Sequence, residues 1–136
     1  MHAPTVESVM IREPMTISAD TRLGEALELM MQRNMRHLPV MKGDELLGVA
    51  SDRDILLAEI AHVDLTDHSS LKIGDVCSLD AYCVAADTPL PEVLRGMASR
   101  HVGSALVTAD DGRPVGIFTS TDACRELARV LDGDPG

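Results

Sequence analysis

The sequence predicts an α/β protein made of two β-α-β-β-α repeats, packed with pseudo-two-fold symmetry into one globule. Three observations carry that expectation. The 136 residues are 45% apolar and 25% charged, the balance of one ordinary soluble domain. Sliding the chain by 67 positions lays residues 6–40 over 73–107 with 10 identities in 35 pairs, where ordinary composition gives roughly two. Each copy then runs through the same succession of apolar patterns.

Each copy opens with a short extended stretch, Met15-Thr16-Ile17 or Tyr82-Cys83-Val84, followed by Asp20-Thr21 or Asp87-Thr88. Thr21 and Thr88 are the expected helix N-caps, and Pro89 suits a first helical position. Leu23, Ala26, Leu27 and Met30 fall at i, i+3, i+4 and i+7, as do Leu90, Val93, Leu94 and Met97, so each helix carries one apolar stripe with Met as core filler. Two apolar runs follow, residues 37–41 and 46–50, separated by Lys42-Gly43-Asp44-Glu45, and again 105–108 and 115–118 around Asp110-Asp111-Gly112. These are hairpin signatures. Past Val40 the offset becomes 68, so Gly48 meets Gly116, Ser51 meets Thr119 and Asp54 meets Asp122.

A second helix closes each unit, starting at Ser51 or Thr119. Cys124, Leu127, Ala128 and Leu131 are expected to form its apolar face in the second copy, and in the first the helix runs through Ile55, Leu56 and Ile60 into a polar connector. The resulting boundaries are repeat one at 6–62, a polar connector at 63–72, repeat two at 73–131 and a breaker-rich tail at 132–136. A unit of about 60 residues has little core alone, so the copies are expected to pack sheet against sheet.

Composition removes several function classes. The formal charge is 12 − 22 = −10, which repels a nucleic-acid backbone and an anionic bilayer. Neither nucleic acid nor membrane is an expected partner. Tyr82 and Phe118 are the only aromatic residues, so stacking platforms are scarce and a base-sized ligand would lie between aliphatic side chains. Cys77, Cys83 and Cys124 are odd in number and outside zinc-site spacings, which suggests buried free thiols in a reducing cytosol. The start, Met1-His2-Ala3-Pro4-Thr5, lacks a basic stretch followed by an apolar one, so the expected location is the cytoplasm.

Chemistry concentrates at the turn into each last helix. Gly48-Val49-Ala50-Ser51-Asp52-Arg53-Asp54 and Gly116-Ile117-Phe118-Thr119-Ser120-Thr121-Asp122 share Gly-apolar-x-[Ser/Thr]-x-x-Asp. Ser or Thr followed three residues later by an acid is a capping box. The same geometry offers helix N–H groups and positive potential to an anion such as phosphate, beside an Asp able to accept both hydroxyls of a ribose. The two roles are compatible, with the hydroxyl capping and the carboxylate facing a ligand.

The duplicated strand, amphipathic helix, apolar hairpin and Gly-x-x-[Ser/Thr]-x-x-Asp resembles a tandem pair of CBS domains, the cystathionine beta-synthase type of regulatory module also called a Bateman module, over about residues 6–131. The resemblance implies an adenosyl ligand, AMP, ADP or ATP and in some members S-adenosylmethionine or NAD, held in clefts between the copies. It assigns the ribose to Ser51 and Asp54, and to Thr119 and Asp122. It matches the family's apolar-Pro hairpin motif to Leu38-Pro39 and its adenine-flanking positions to Ile17 and Val84. Candidates for phosphate are Arg36, His37 and Arg53 in the first copy and Arg100 and His101 in the second. Each of them also reads as a solvated surface charge. His37 also reads as a half-buried histidine, and it lacks partners at metal-ligand spacing.

The second copy departs from the pattern with Leu106 for Pro39 and Thr121 for Arg53, so the first site matches better. The expected function is a standalone regulatory module that binds an adenine nucleotide and transmits occupancy to a partner or oligomer, with a homodimer through its helices implied by the family. The alternative is a ligand-independent dimerisation and protein-interaction module. No nucleophile elbow, Walker loop or Cys/His nucleophile signature is present, so no catalysis is expected.

Overall fold

The computed structural model describes residues 3–61 and 71–133. Most of the connector expected at 63–72 and the end of the tail at 132–136 lie outside the described residues. The chain is mixed α/β with two strand-rich repeats. It divides into two compact units, one formed by Pro14–Ala81 and the other by Met1–Glu13 together with Tyr82–Gly136.

In the first unit, β2 (Ile17–Ser18) leads into α1 (Leu23–Gln32), the hairpin β3 (His37–Lys42) and β4 (Glu45–Ser51), then α2 (Asp52–Ala61). The sheet order is β2-β3-β4, with β2 parallel and β4 antiparallel to β3. A short helix, α3 (Ile73–Val76), completes the unit. In the other, β5 (Cys83–Val84), α4 (Leu90–Arg100), β6 (Ser104–Thr108), β7 (Pro114–Thr119) and α5 (Ser120–Leu131) repeat the order, and β1 (Ile11–Arg12) adds a fourth strand in the order β1-β7-β6-β5. Register breaks fall at equivalent places, Val40/Met41 and Val107/Thr108. The hairpin turns differ: Gly43-Asp44 closes the first, whereas the second loops through residues 109–113 with Gly112 at φ 86°. That is where the second copy gains its residue.

The leading segment of each sequence repeat packs into the compact unit of the other repeat. Ile73, fully buried, joins Ile17, Leu23, Met30, Leu38 and Val40 in the first core, and Val6, fully buried and 67 positions earlier, joins Val93, Met97, Val107 and Phe118 in the second. The backbone repeats the arrangement bond for bond. Ile73 N–H donates to Thr21 O (2.7 Å), Gly74 N–H to Ala19 O (2.9 Å) and Leu23 N–H to Leu71 O (3.2 Å). Likewise Val6 N–H donates to Thr88 O (2.9 Å), Glu7 N–H to Ala86 O (3.1 Å) and Leu90 N–H to Pro4 O (2.8 Å).

These bonds correct the expected caps. The helices begin at Leu23 and Leu90, with Arg22 and Pro89 at the N-cap position and no side-chain cap bond. A carbonyl of the crossing segment already satisfies the first free N–H of each helix, so the hydroxyls of Thr21 and Thr88 are not needed there.

The closing helix of the second repeat also differs from expectation. Leu127 and Leu131 are 59% and 76% exposed, and Cys124 is exposed too. The α2 side chains that reach the core are Ile55 and Ala58, while Leu56, Leu57 and Ile60 point outward. On α5 the positions equivalent to Ile55 and Ala58 are Ala123 and Glu126, so the helix puts no large apolar residue against its sheet. Periodicity identifies an apolar stripe without saying which face meets the sheet. Among the thiols only Cys77 is buried. Cys83 is exposed on the two-residue β5 at the end of the sheet order, and Cys124 is exposed on the outer face of α5.

Candidate functional site

The first repeat's candidate site assembles where the hairpin ends and α2 begins. Register places His37, the first residue of β3, opposite Ser51, the last of β4. Asp52 N–H donates to Arg36 O (3.1 Å), which ties the start of α2 to the residue before β3. Asp54 N–H donates to Ser51 Oγ (3.0 Å), and Ser51 N–H donates to Asp54 Oδ2 (3.2 Å). The capping box is therefore formed. Among the described residues, Asp54 Oδ1 has no hydrogen-bond partner. Arg53 is exposed one position before Asp54.

His37 is half-buried, and burial pushes its pKa below the ordinary 6.5 because desolvation penalises imidazolium. Asp52 and Asp54 oppose that shift, and Arg36 adds to it. The lowered pKa favours the uncharged imidazole, and Arg36 and Arg53 are the basic residues next to His37 and Asp54 in the chain. The α2 N-terminus adds partial positive charge to the same corner.

Ile17 and Leu38 are 6% and 0% exposed within the first unit's own core, and Val84 packs at the edge of the second. Ile17 also lines an open groove of about 420 Å³ with Thr21, Glu25, Glu28, Leu29 and Gln32. Pro39 is fully buried and pairs with Val49, two positions before Ser51.

The second repeat builds the same corner from different side chains. Ser120 N–H donates to Gly103 O (3.0 Å), so Gly103 and Ser104 stand where the first repeat has Arg36 and His37. Asp122 N–H donates to Thr119 Oγ1 (3.4 Å), and Thr119 N–H donates to Asp122 Oδ2 (2.9 Å). Thr119 Oγ1 also donates to Oδ2 (3.0 Å), while Arg125 Nη1 donates to Oδ1 (3.2 Å). The phosphate candidate Arg100 lies over the Tyr82 ring at 4.6 Å from its centroid, a cation-π contact. The other, His101, is the left-handed C-cap of α4 with φ 56°.

Sequence inspection missed Arg125, although its i, i+3 spacing from Asp122 is a readable ion-pair signal. It also missed the Arg100–Tyr82 pair, whose partners lie 18 positions apart with no local pattern. The glycine of each motif has a structural origin as well. Val49 bridges Ser78 through two backbone bonds of 3.0 and 2.9 Å, and a Cβ at Gly48 would collide with the Ser78 carbonyl.

The CBS domain pattern matches residues 6–61 and 73–129. The chain belongs to the CBS domain family. It is 28% identical over 138 residues to a CBS domain-containing protein of Dictyostelium discoideum, covering 96% of this chain and 95% of that one. It is 28% identical to an inosine-5'-monophosphate dehydrogenase of Korarchaeum cryptofilum over 85% of this chain and 23% of the relative. The CBS pair thus spans about a quarter of the length of that enzyme. Among solved structures, a Vibrio cholerae protein named for acetoin utilization superposes with TM-score 0.83 at 28% identity, covering 96% and 94% of the two chains. The CBS domain pair of protein MJ0100, in complex with 5'-methylthioadenosine and S-adenosyl-L-methionine, superposes with TM-score 0.81 at 23% identity, covering 93% and 97%. CBSX2 in complex with AMP gives 0.80 at 23% identity, covering 93% and 98%. No helix among the described residues is long and apolar enough to cross a membrane.

Proposed function

We propose that this CBS pair is a non-catalytic regulatory module that binds an adenosyl ligand, of the AMP, ADP or ATP class, at the first repeat's corner and passes occupancy to a partner or to its own oligomer. The observation that carries the proposal is the corner itself. Among the described residues Asp54 keeps one carboxylate oxygen without a hydrogen-bond partner while its other oxygen caps α2, leaving acceptor capacity for a ribose diol. Arg36, Arg53 and the α2 N-terminus supply positive potential in a chain of net charge −10. The fold neighbours bound to AMP and to S-adenosyl-L-methionine support the ligand class.

Calorimetric titration with AMP, ADP, ATP and S-adenosylmethionine tests it. Binding to at least one, weakened by Asp54→Ala, is the expected result. Absence of heat with all four at millimolar concentration would sink the proposal.

The exposed apolar residues of α2 and α5 favour a second reading, a homodimer through these helices that acts without any ligand. On α2, Leu57 is 54% and Ile60 70% exposed, and on α5, Val130 is 60% and Leu131 76% exposed, so each helix carries outward apolar side chains of the kind a protein interface covers. Sedimentation of Ile60→Asp and Leu131→Asp variants decides it. Dimers that persist in both exclude these helices as the interface.

A further inference from the structure

We propose that Arg125 occupies the second repeat's ribose position, so that in the native chain only the first repeat takes an adenosyl ligand. The inference rests on the function proposed above and assigns it to one site. Both oxygens of Asp122 are engaged within the chain, Oδ2 by the amide and hydroxyl of Thr119 and Oδ1 by Arg125 at 3.2 Å. The carboxylate side chain is 10% exposed and the arginine 73%, so the guanidinium holds the acid from its solvent side. A ribose diol needs those same lone pairs, and neutral hydroxyls make weaker bonds to a carboxylate than a guanidinium does.

The first repeat lacks the device. Position 57, equivalent to 125 at the offset of 68, is leucine, 54% exposed and without a donor. The surrounding substitutions run the same way. The second repeat has Gly103, Ser104 and Thr121 where the first has Arg36, His37 and Arg53, so it has lost the basic residues of those three positions and has gained one that faces its own carboxylate.

Titration calorimetry on the full chain with AMP, and with adenosine because a guanidinium at position 57 would also attract a phosphate, tests the assignment. Wild type is expected to bind one ligand per chain and Arg125→Gln two, the second more weakly. Leu57→Arg is expected to weaken adenosine binding at the first site by up to about fivefold, the scale of one exposed ion pair. One site in both wild type and Arg125→Gln overturns the inference alone. So do two sites in wild type of which Asp122→Asn removes one. No binding by wild type overturns the functional proposal, and this inference with it.

Discussion

The corners at Ser51–Asp54 and Thr119–Asp122 share a backbone frame and differ in almost every side chain around it. Both close a capping box and tie the helix start to the residue before the hairpin. The first has Arg36, a half-buried His37 and Arg53 beside its acid in sequence or register, and among the described residues one oxygen of that acid has no hydrogen-bond partner. The second pairs its acid with Arg125 and has Gly103 and Ser104 where the first has Arg36 and His37. Duplication therefore preserved what the fold requires, the cap, while the charges that a ligand would meet diverged. A motif match alone cannot separate these cases, because Ser/Thr-x-x-Asp serves the helix whether or not anything binds.

The sharpest difference in stability lies at the glycines. Gly48→Ala drives a methyl into the Ser78 backbone carbonyl, which the Val49–Ser78 bridge fixes in place. It should cost about 3 kcal/mol by overpacking. At Gly116 the added methyl meets the flexible thioether of Met10, and the cost should stay under about 1 kcal/mol because Met repacks easily. Urea unfolding of the two variants checks the contrast. Equal losses would mean that the two crossing segments are held alike.

The acids should then separate binding from stability. Asp54→Ala is expected to weaken AMP binding at least about tenfold, equivalent to about 1.4 kcal/mol. Asp122→Ala should leave that affinity within about twofold and lower unfolding free energy by about 1–2 kcal/mol, the worth of a lost cap. Calorimetry and urea melts on both variants give the four numbers. Equal losses of affinity would erase the distinction between the corners.

Much of this was legible in residues alone. The duplication, the hairpins and the Ser/Thr-x-x-Asp helix starts needed only spacing, because a hairpin turn and a capping box are local. The exchange of leading segments was not legible. Val6 and Ile73 are matched apolar residues at the start of each repeat, but which core they enter depends on contacts far away in sequence. The same limit misplaced the helix caps, since the groups that satisfy Leu23 and Leu90 N–H come from Leu71 and Pro4. It also misjudged α5, whose stripe of Leu127, Ala128 and Leu131 is real but outward. The site was half legible: the residue types were visible, while the occupied state of Asp122 required coordinates.

The smallest effect should come from His37, which has no counterpart in the second repeat, where Ser104 takes its place. Its folded pKa lies below 6.5, first because of burial, with Asp52 and Asp54 opposing and Arg36 adding. An unfolded chain therefore binds the proton more readily than the folded one. The resulting contribution to stability is fully present above pH 6.5 and is lost as the pH falls through the folded value. Unfolding free energies measured between pH 7.5 and 5.5 should decline less steeply in His37→Gln than in wild type, while Ser104→Ala should keep the wild-type slope. Binding offers the complementary measurement. Protonation of His37 adds a cation to the first corner, so on acidification the affinity for AMP relative to adenosine should become higher in wild type than in His37→Gln, the phosphate's own protonation being common to both. Equal ratios in the two proteins at every pH would place the imidazole outside the reach of the phosphate and leave the anion to Arg36, Arg53 and the helix N-terminus.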